Sequence, residues 1–169
     1  AGFMWRYVYC GWFDARDPEG RLRPGLKALD DVVATLARAA ADHDGPVMGW
    51  GFDPIYFGGA RCTRQDLDRV SGARPVGVLH GSGHILNVNS AALAAAGLLR
   101  EGVDHPGVPL GADGLPAGEM KGPEVMALLF PSLGLPRGFL YADEAGIRAY
   151  GRLAVQAGVQ LERVAERGN

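Results

Sequence analysis

The chain has 169 residues, of which 47% are hydrophobic and 21% charged, and a formal net charge of -2. That length holds one domain with a substantial core and is too short for two large ones, and the composition excludes global disorder. The near-neutral balance gives no electrostatic basis for nucleic acid or an anionic membrane surface as a partner.

In chain order, the start AGFMWRYVY has no basic leader region and is already apolar and aromatic at its third residue. It therefore reads as the beginning of a piece cut from something longer. Residues 2–13 suit a buried strand or a short helix, and Asp14 to Gly25 reads as a polar loop carrying the solvated Arg21, Arg23 and Lys27. Asp30 is the expected cap of a helix in which Val32, Val33, Leu36, Ala37 and Ala40 recur at helical spacing. Val47 to Phe52 reads as the next strand. Thr63 and Asp66 form a capping-box pair for a short second helix. Val76 to His80 and Ile85 to Val88 read as strands joined through Gly81, Ser82 and Gly83. Asn89 or Ser90 caps a helix that Gly97 ends, and Asp113-Gly114 marks a hairpin tip. Pro123 opens another helix, and a last one runs from about Asp143 to Ala157 with Ile147, Tyr150 and Ala154 on one face. Strands following one another this closely indicate an α+β fold rather than a pure βαβ series.

Chemistry is thinly marked. Cys10 and Cys62 make no disulfide framework and no Cys-x-x-Cys, which points to a reducing, cytoplasmic setting. No apolar run reaches the roughly 18 residues of a membrane helix. His80 and His84 are four apart, but the intervening Gly81 and Gly83 argue against one helical face for a metal, so polar turn histidines are the plainer reading. Ser82 lies between two glycines, yet in a strand-to-strand connection rather than a nucleophile elbow. Trp50, Phe52, Tyr56 and Phe57 form either a pocket wall for an apolar substrate or simply core.

Three stretches resemble amidohydrolase family 3, the group that includes N-substituted formamide deformylases. They are GWGFDPIYFGGARCTRQDLDRVS (Gly49 to Ser71), RPVGVLHGSGHILNVNSAAL (Arg74 to Leu93) and GADGLPAGEM (Gly111 to Met120). The resemblance implies a metal-dependent (β/α)8-barrel hydrolase acting on a non-peptide carbon–nitrogen bond, with a divalent metal, zinc by expectation, in the complete enzyme. The barrel would lie largely outside this chain. Residues 1–27 would be a remnant of barrel strand and loop, 28–140 an inserted α+β region, and 141–169 a helix leading back to the barrel plus a tail. Family members often follow the third stretch with a metal-bridging glutamate; here Gly122 stands in its place, and Glu119 and Glu124 are out of register. The chain alone is then expected to hold no metal and to be inactive. The expected partners are a small amide-like substrate and a possible second copy of the chain, with neither nucleic acid nor membrane among them. Substrate contacts are expected from His84, Trp50, Phe52, Asp53 and His80, with no catalytic residue and no metal ligand assigned. The alternative is a non-catalytic binding module that reuses the insertion fold.

Overall fold

The computed structural model describes residues 2–136, 139 and 144–158. A 3-10 turn at Gly2–Arg6 leads into β1 (Val8–Tyr9), so the aromatic opening divides between the two conformations that its composition allows. The expected loop after it contains a small antiparallel hairpin, β2 (Ala15–Arg16) and β3 (Leu22–Arg23). Its anchor is Asp17, 1% exposed, whose carboxylate accepts from Arg21 Nε at 2.9 Å and Arg23 Nη2 at 2.9 Å. Arg21 and Arg23 are thus solvated but held. The Asp17 carboxyl sits below its usual range because, although burial pushes it up, bonds from the Arg21 backbone and both guanidiniums outweigh that.

Helix α1 (Leu29–Ala41) begins one residue before the expected cap. Asp31, not Asp30, stabilises the start by accepting the amides of Ala28 at 3.0 Å and Lys27 at 3.2 Å. Then come β4 (Val47–Phe52), α2 (Arg64–Asp68), β5 (Val76–His80), β6 (Ile85–Val88), α3 (Ser90–Ala95), β7 (Glu119–Lys121), α4 (Pro123–Ala127) and α5 (Glu144–Gln156). The Thr63–Asp66 capping box, the Asn89 cap and Pro123 in the first turn of α4 all form as their residues require.

The main sheet has the order β1-β4-β5-β6-β7: β1, β4 and β5 run parallel, and β5, β6 and β7 antiparallel. This mixed sheet is the α+β arrangement that the close strand spacing predicts. All five residues of β5 are buried because both faces of the sheet are covered. On one face Val47, Phe52, Val76 and Val78 pack with Val32 and Leu36 of α1 and Leu67 of α2. On the other Met48, Leu79, Leu86, Val88 and Met120 pack with Leu93, Met126, Leu129 and Phe130. In the Gly49-Trp50-Gly51 run, a Cβ on Gly49 would come within 2.9 Å of Leu36 and Cys10, so its absence lets α1 approach the sheet. Gly51 has φ +95 at the register shift between Trp50 and Phe52, a conformation that L side chains resist.

Helix α5 packs on the 3-10 turn through buried Gly146 and Ala149. The face that carries Ile147 and Tyr150 is turned out: Ile147 is 61% and Tyr150 59% exposed. Asp143, the expected start of this helix, and the tail from Val159 onward lie outside the described residues.

Candidate substrate-facing site

In open sheets the carboxyl ends of parallel strands are where ligands are usually met. Here β4 and β5 end side by side, with Phe52 in register with His80. Strand pairing extends a row across the sheet on the α1/α2 face: Val78 opposes Asn87, and Asn87 opposes Glu119. His80 lies on the same face, because its side chain is two residues on from Val78. The result is a buried polar line of His80, Asn87 and Glu119 under the Asp53 to Cys62 loop.

Each member is satisfied. Asn87 Nδ2 donates to the Cys62 carbonyl at 2.6 Å, which leaves Oδ1 as acceptor. His80 Nε2 is 2.5 Å from that oxygen and so carries the proton; Nδ1 holds the lone pair. Burial lowers the His80 pKa, opposed by the Asn87 bond and the Asp53 and Glu119 charges, so the ring is neutral at pH 7. The Phe52 ring meets it edge-on at 5.5 Å. Glu119, 5% exposed, accepts from both Nε, at 2.9 Å, and Nη2 of Arg61, with Lys121 Nζ at 3.4 Å. Burial pushes its carboxyl up, but Arg61 and then Lys121 hold it below the usual glutamate range.

The five expected substrate contacts separate into three groups. Phe52 and His80 are buried, with Phe52 inside the core cluster. Trp50 is half-buried on the opposite face, wedged by Trp5 at 5.0 Å and Tyr9 at 5.2 Å; its Nε1 is buried and has no partner among the described residues. Asp53 and His84 reach the surface. Asp53 Oδ1 accepts the Ile55 amide at 3.1 Å, and the His84 amide donates to Ser82 Oγ at 3.3 Å. Of the aromatic group, Phe57 is core and Tyr56 is 47% exposed, stacked edge-on against exposed Phe13 at 4.9 Å. Asn87 and Arg61 were not among the expected site residues, and Glu119 was noted only as out of register with the family's glutamate. Asn87 and Glu119 sit at inward-facing strand positions, legible only once the pairing is known, and Arg61 reaches Glu119 from the loop before α2.

Nothing in this arrangement activates a nucleophile. Burial pushes the Cys10 thiol up to about 12 and raises Cys62 also, so neither is a thiolate at neutral pH. Among the described residues no group of three His, Cys, Asp or Glu side chains converges as a metal ion requires. His43 and His105 each spend Nδ1 on a glycine amide, and Glu119 is flanked by two cations. A divalent metal therefore finds no fitting set of ligands among the described residues. What the stretch offers is shape, hydrogen-bonding groups and a rigid scaffold.

The three motif stretches are wired to one another. Asn89 Oδ1 accepts from Val76 at 3.0 Å and Ala92 at 2.9 Å, while its Nδ2 donates to Ser71 and Arg74 carbonyls, both at 2.8 Å. Ser90 donates twice to Asp68, at 2.9 and 2.7 Å. Arg64, 7% exposed, donates to the Pro116 carbonyl at 3.0 Å and pairs with Asp113.

The model of the amidohydrolase family matches residues 10–164. No curated protein matches the chain. Among solved structures it is similar to an uncharacterized metal-dependent hydrolase from Pyrococcus furiosus, at 17% identity and TM-score 0.52, over 74% of this chain and 21% of that one. It is also similar to one from Pyrococcus horikoshii OT3, at 15% identity and TM-score 0.55, over 94% of this chain and 27% of that one. At such identities the likeness is one of fold, and the chain spans only about a quarter of the length of these proteins. The family match, by contrast, takes in all three wired motifs and nearly the whole chain. The chain belongs to the amidohydrolase family.

Proposed function

We propose that this chain is the substrate-covering part of a metal-dependent amidohydrolase that hydrolyses a non-peptide carbon–nitrogen bond, of the amide or formamide type, in a small molecule. The family match over residues 10–164 carries the reading. The metal, zinc by our reading, would be held by residues outside this stretch, in a (β/α)8 barrel into which residues 28–140 are inserted. Such a metal lowers the pKa of bound water to about 7 and polarises a carbonyl. The part of this chain is to bind and orient. His84, exposed at the β5–β6 tip beside a glycine, can donate to a carbonyl oxygen or accept a proton. Asp53 and the exposed Tyr56 lie on the loop that follows β4, at the same end of the sheet.

The test is amide hydrolysis by a protein in which this chain is continuous with a barrel of the family. We expect turnover of small amides or formamides that a chelator abolishes, and a loss of about tenfold to a thousandfold in kcat/KM for His84→Ala with an unchanged melting temperature. Chelator-insensitive turnover, or none on any amide, refutes the hydrolase reading. A lower melting temperature with normal turnover would leave His84 as structure alone.

A further inference from the structure

Polar side chains are seldom buried in a row, yet His80, Asn87 and Glu119 are 5%, 0% and 5% exposed. Asn87 and Glu119 are covered by a short strap, residues 58–62, between the core residue Phe57 and the Thr63 cap of α2. Its fastening is unlike that of the rest of the fold. Gly58, Arg61 and Cys62 make no backbone–backbone hydrogen bond among the described residues. Gly59 and Ala60 bond only back into the preceding turn, to Pro54 at 2.8 Å and Phe57 at 3.2 Å. What ties the strap to the sheet is side chains. Asn87 Nδ2 donates to the Cys62 carbonyl at 2.6 Å, and Arg61 donates to Glu119 through Nε at 2.9 Å and through Nη2.

The strap is built so that it can lift. Gly58 and Gly59 are consecutive, at φ +67 and +79, and a Cβ on either would meet nothing within 4 Å, so the backbone can rotate there. Its two ends are fixed. The Phe57 ring packs on Phe52 at 4.7 Å and Trp12 at 5.3 Å, and Thr63 is held by its capping box. Lys121 Nζ lies 3.4 Å from Glu119, so the carboxylate keeps a cation when the exposed Arg61 side chain leaves it.

We propose that residues 58–62 are a gate over the polar row, latched by Arg61 on Glu119 and by Asn87 on Cys62, which opens while the sheet and helices stay folded. Opening bares the Asn87 amide and the Glu119 carboxylate, which oppose one another on β6 and β7. A loop that is simply part of the fold opens only when the fold does, and that difference can be measured.

Two buried cysteines provide the probe in the full chain. Cys62, 1% exposed, is in the strap; Cys10, 0% exposed, is outside it, beside Gly49 and Leu36. The test is alkylation by iodoacetamide under native conditions, followed for each cysteine by mass spectrometry and divided by the rate of the same thiol in denaturant. We expect Cys62 to react about tenfold or more faster than Cys10. Arg61→Gln removes a hydrogen bond to a charged group and should speed Cys62 by about a further tenfold, with the Cys10 rate and the melting temperature unchanged. Cys62 reacting no faster than Cys10 overturns the proposal, because the strap then opens only with the whole fold. So does a Cys62 rate that Arg61→Gln leaves alone, or one that rises only together with the Cys10 rate. No turnover is measured, so the outcome is independent of the reaction proposed above.

Discussion

His80 shows how a residue can be noticed in a sequence and still be misread. Its spacing from His84 drew attention to both as turn residues, yet only His84 is on the turn. His80 is the last residue of β5, buried against Phe52 and bonded to Asn87. Sequence shows that a histidine ends an apolar run; it does not show that a polar partner waits on the next strand. The consequence is a pH dependence. With its folded pKa lowered, burial first among the causes, His80 supports full stability above its unfolded pKa of about 6.5 and loses it as pH falls through the folded value. His80→Gln keeps a donor for Asn87 and removes the titration. Denaturant unfolding at pH 7 and pH 5 should therefore show the unmodified chain losing more stability than the variant over that interval. Equal losses would mean that His80 is not held neutral by the fold.

At the scale of elements, the sequence was most legible where local chemistry suffices. The α1 periodicity, the Thr63 box, the Gly97 stop and the β5–β6 pair all follow from residues close in the chain. The β2–β3 hairpin was not legible, because it depends on one buried carboxylate, Asp17, gathering two arginines. The outward turn of Ile147 has a local reason: small Gly146 and Ala149 allow closer packing on the 3-10 turn than the larger stripe would. The motif stretches were legible as a family signature, and the structure explains most of them as wiring. Gly118 is one such case. It has φ +102, and a Cβ there would lie 2.7 Å from both the Arg64 nitrogen and the Val88 oxygen, whereas Gly114, at φ +76, faces open space. Gly114→Ala should cost about 1 kcal/mol through backbone conformation alone. Gly118→Ala adds a clash with two backbone atoms that no side-chain rotation relieves, and should cost about 3 kcal/mol. Thermal melts of the two variants decide it; equal costs would remove Gly118 from the joint between β6, β7 and α2.

On the scale of the whole molecule, two cores on either side of a mixed sheet coexist with apolar surface that finds no cover among the described residues. Ile147, Tyr150 and Val155 on α5 are 61%, 59% and 65% exposed, and Ile55 is 76% exposed. Surfaces of this kind drive association, so light scattering should find dimers or larger species at micromolar concentration. A monomer with a single cooperative melt would show instead that these side chains are tolerated singly. The fold class and the family could be read from sequence because both rest on local pattern and motif order. The site could not, because its buried polar row is assembled by strand pairing, and under the proposed function the metal ligands would lie outside this stretch. That division of labour is the central claim, and zinc binding tests it most directly. The purified chain, dialysed to equilibrium against zinc and then against buffer, should retain far less than one ion per chain by elemental analysis. One tightly held ion per chain would contradict the claim and place a metal centre inside this stretch.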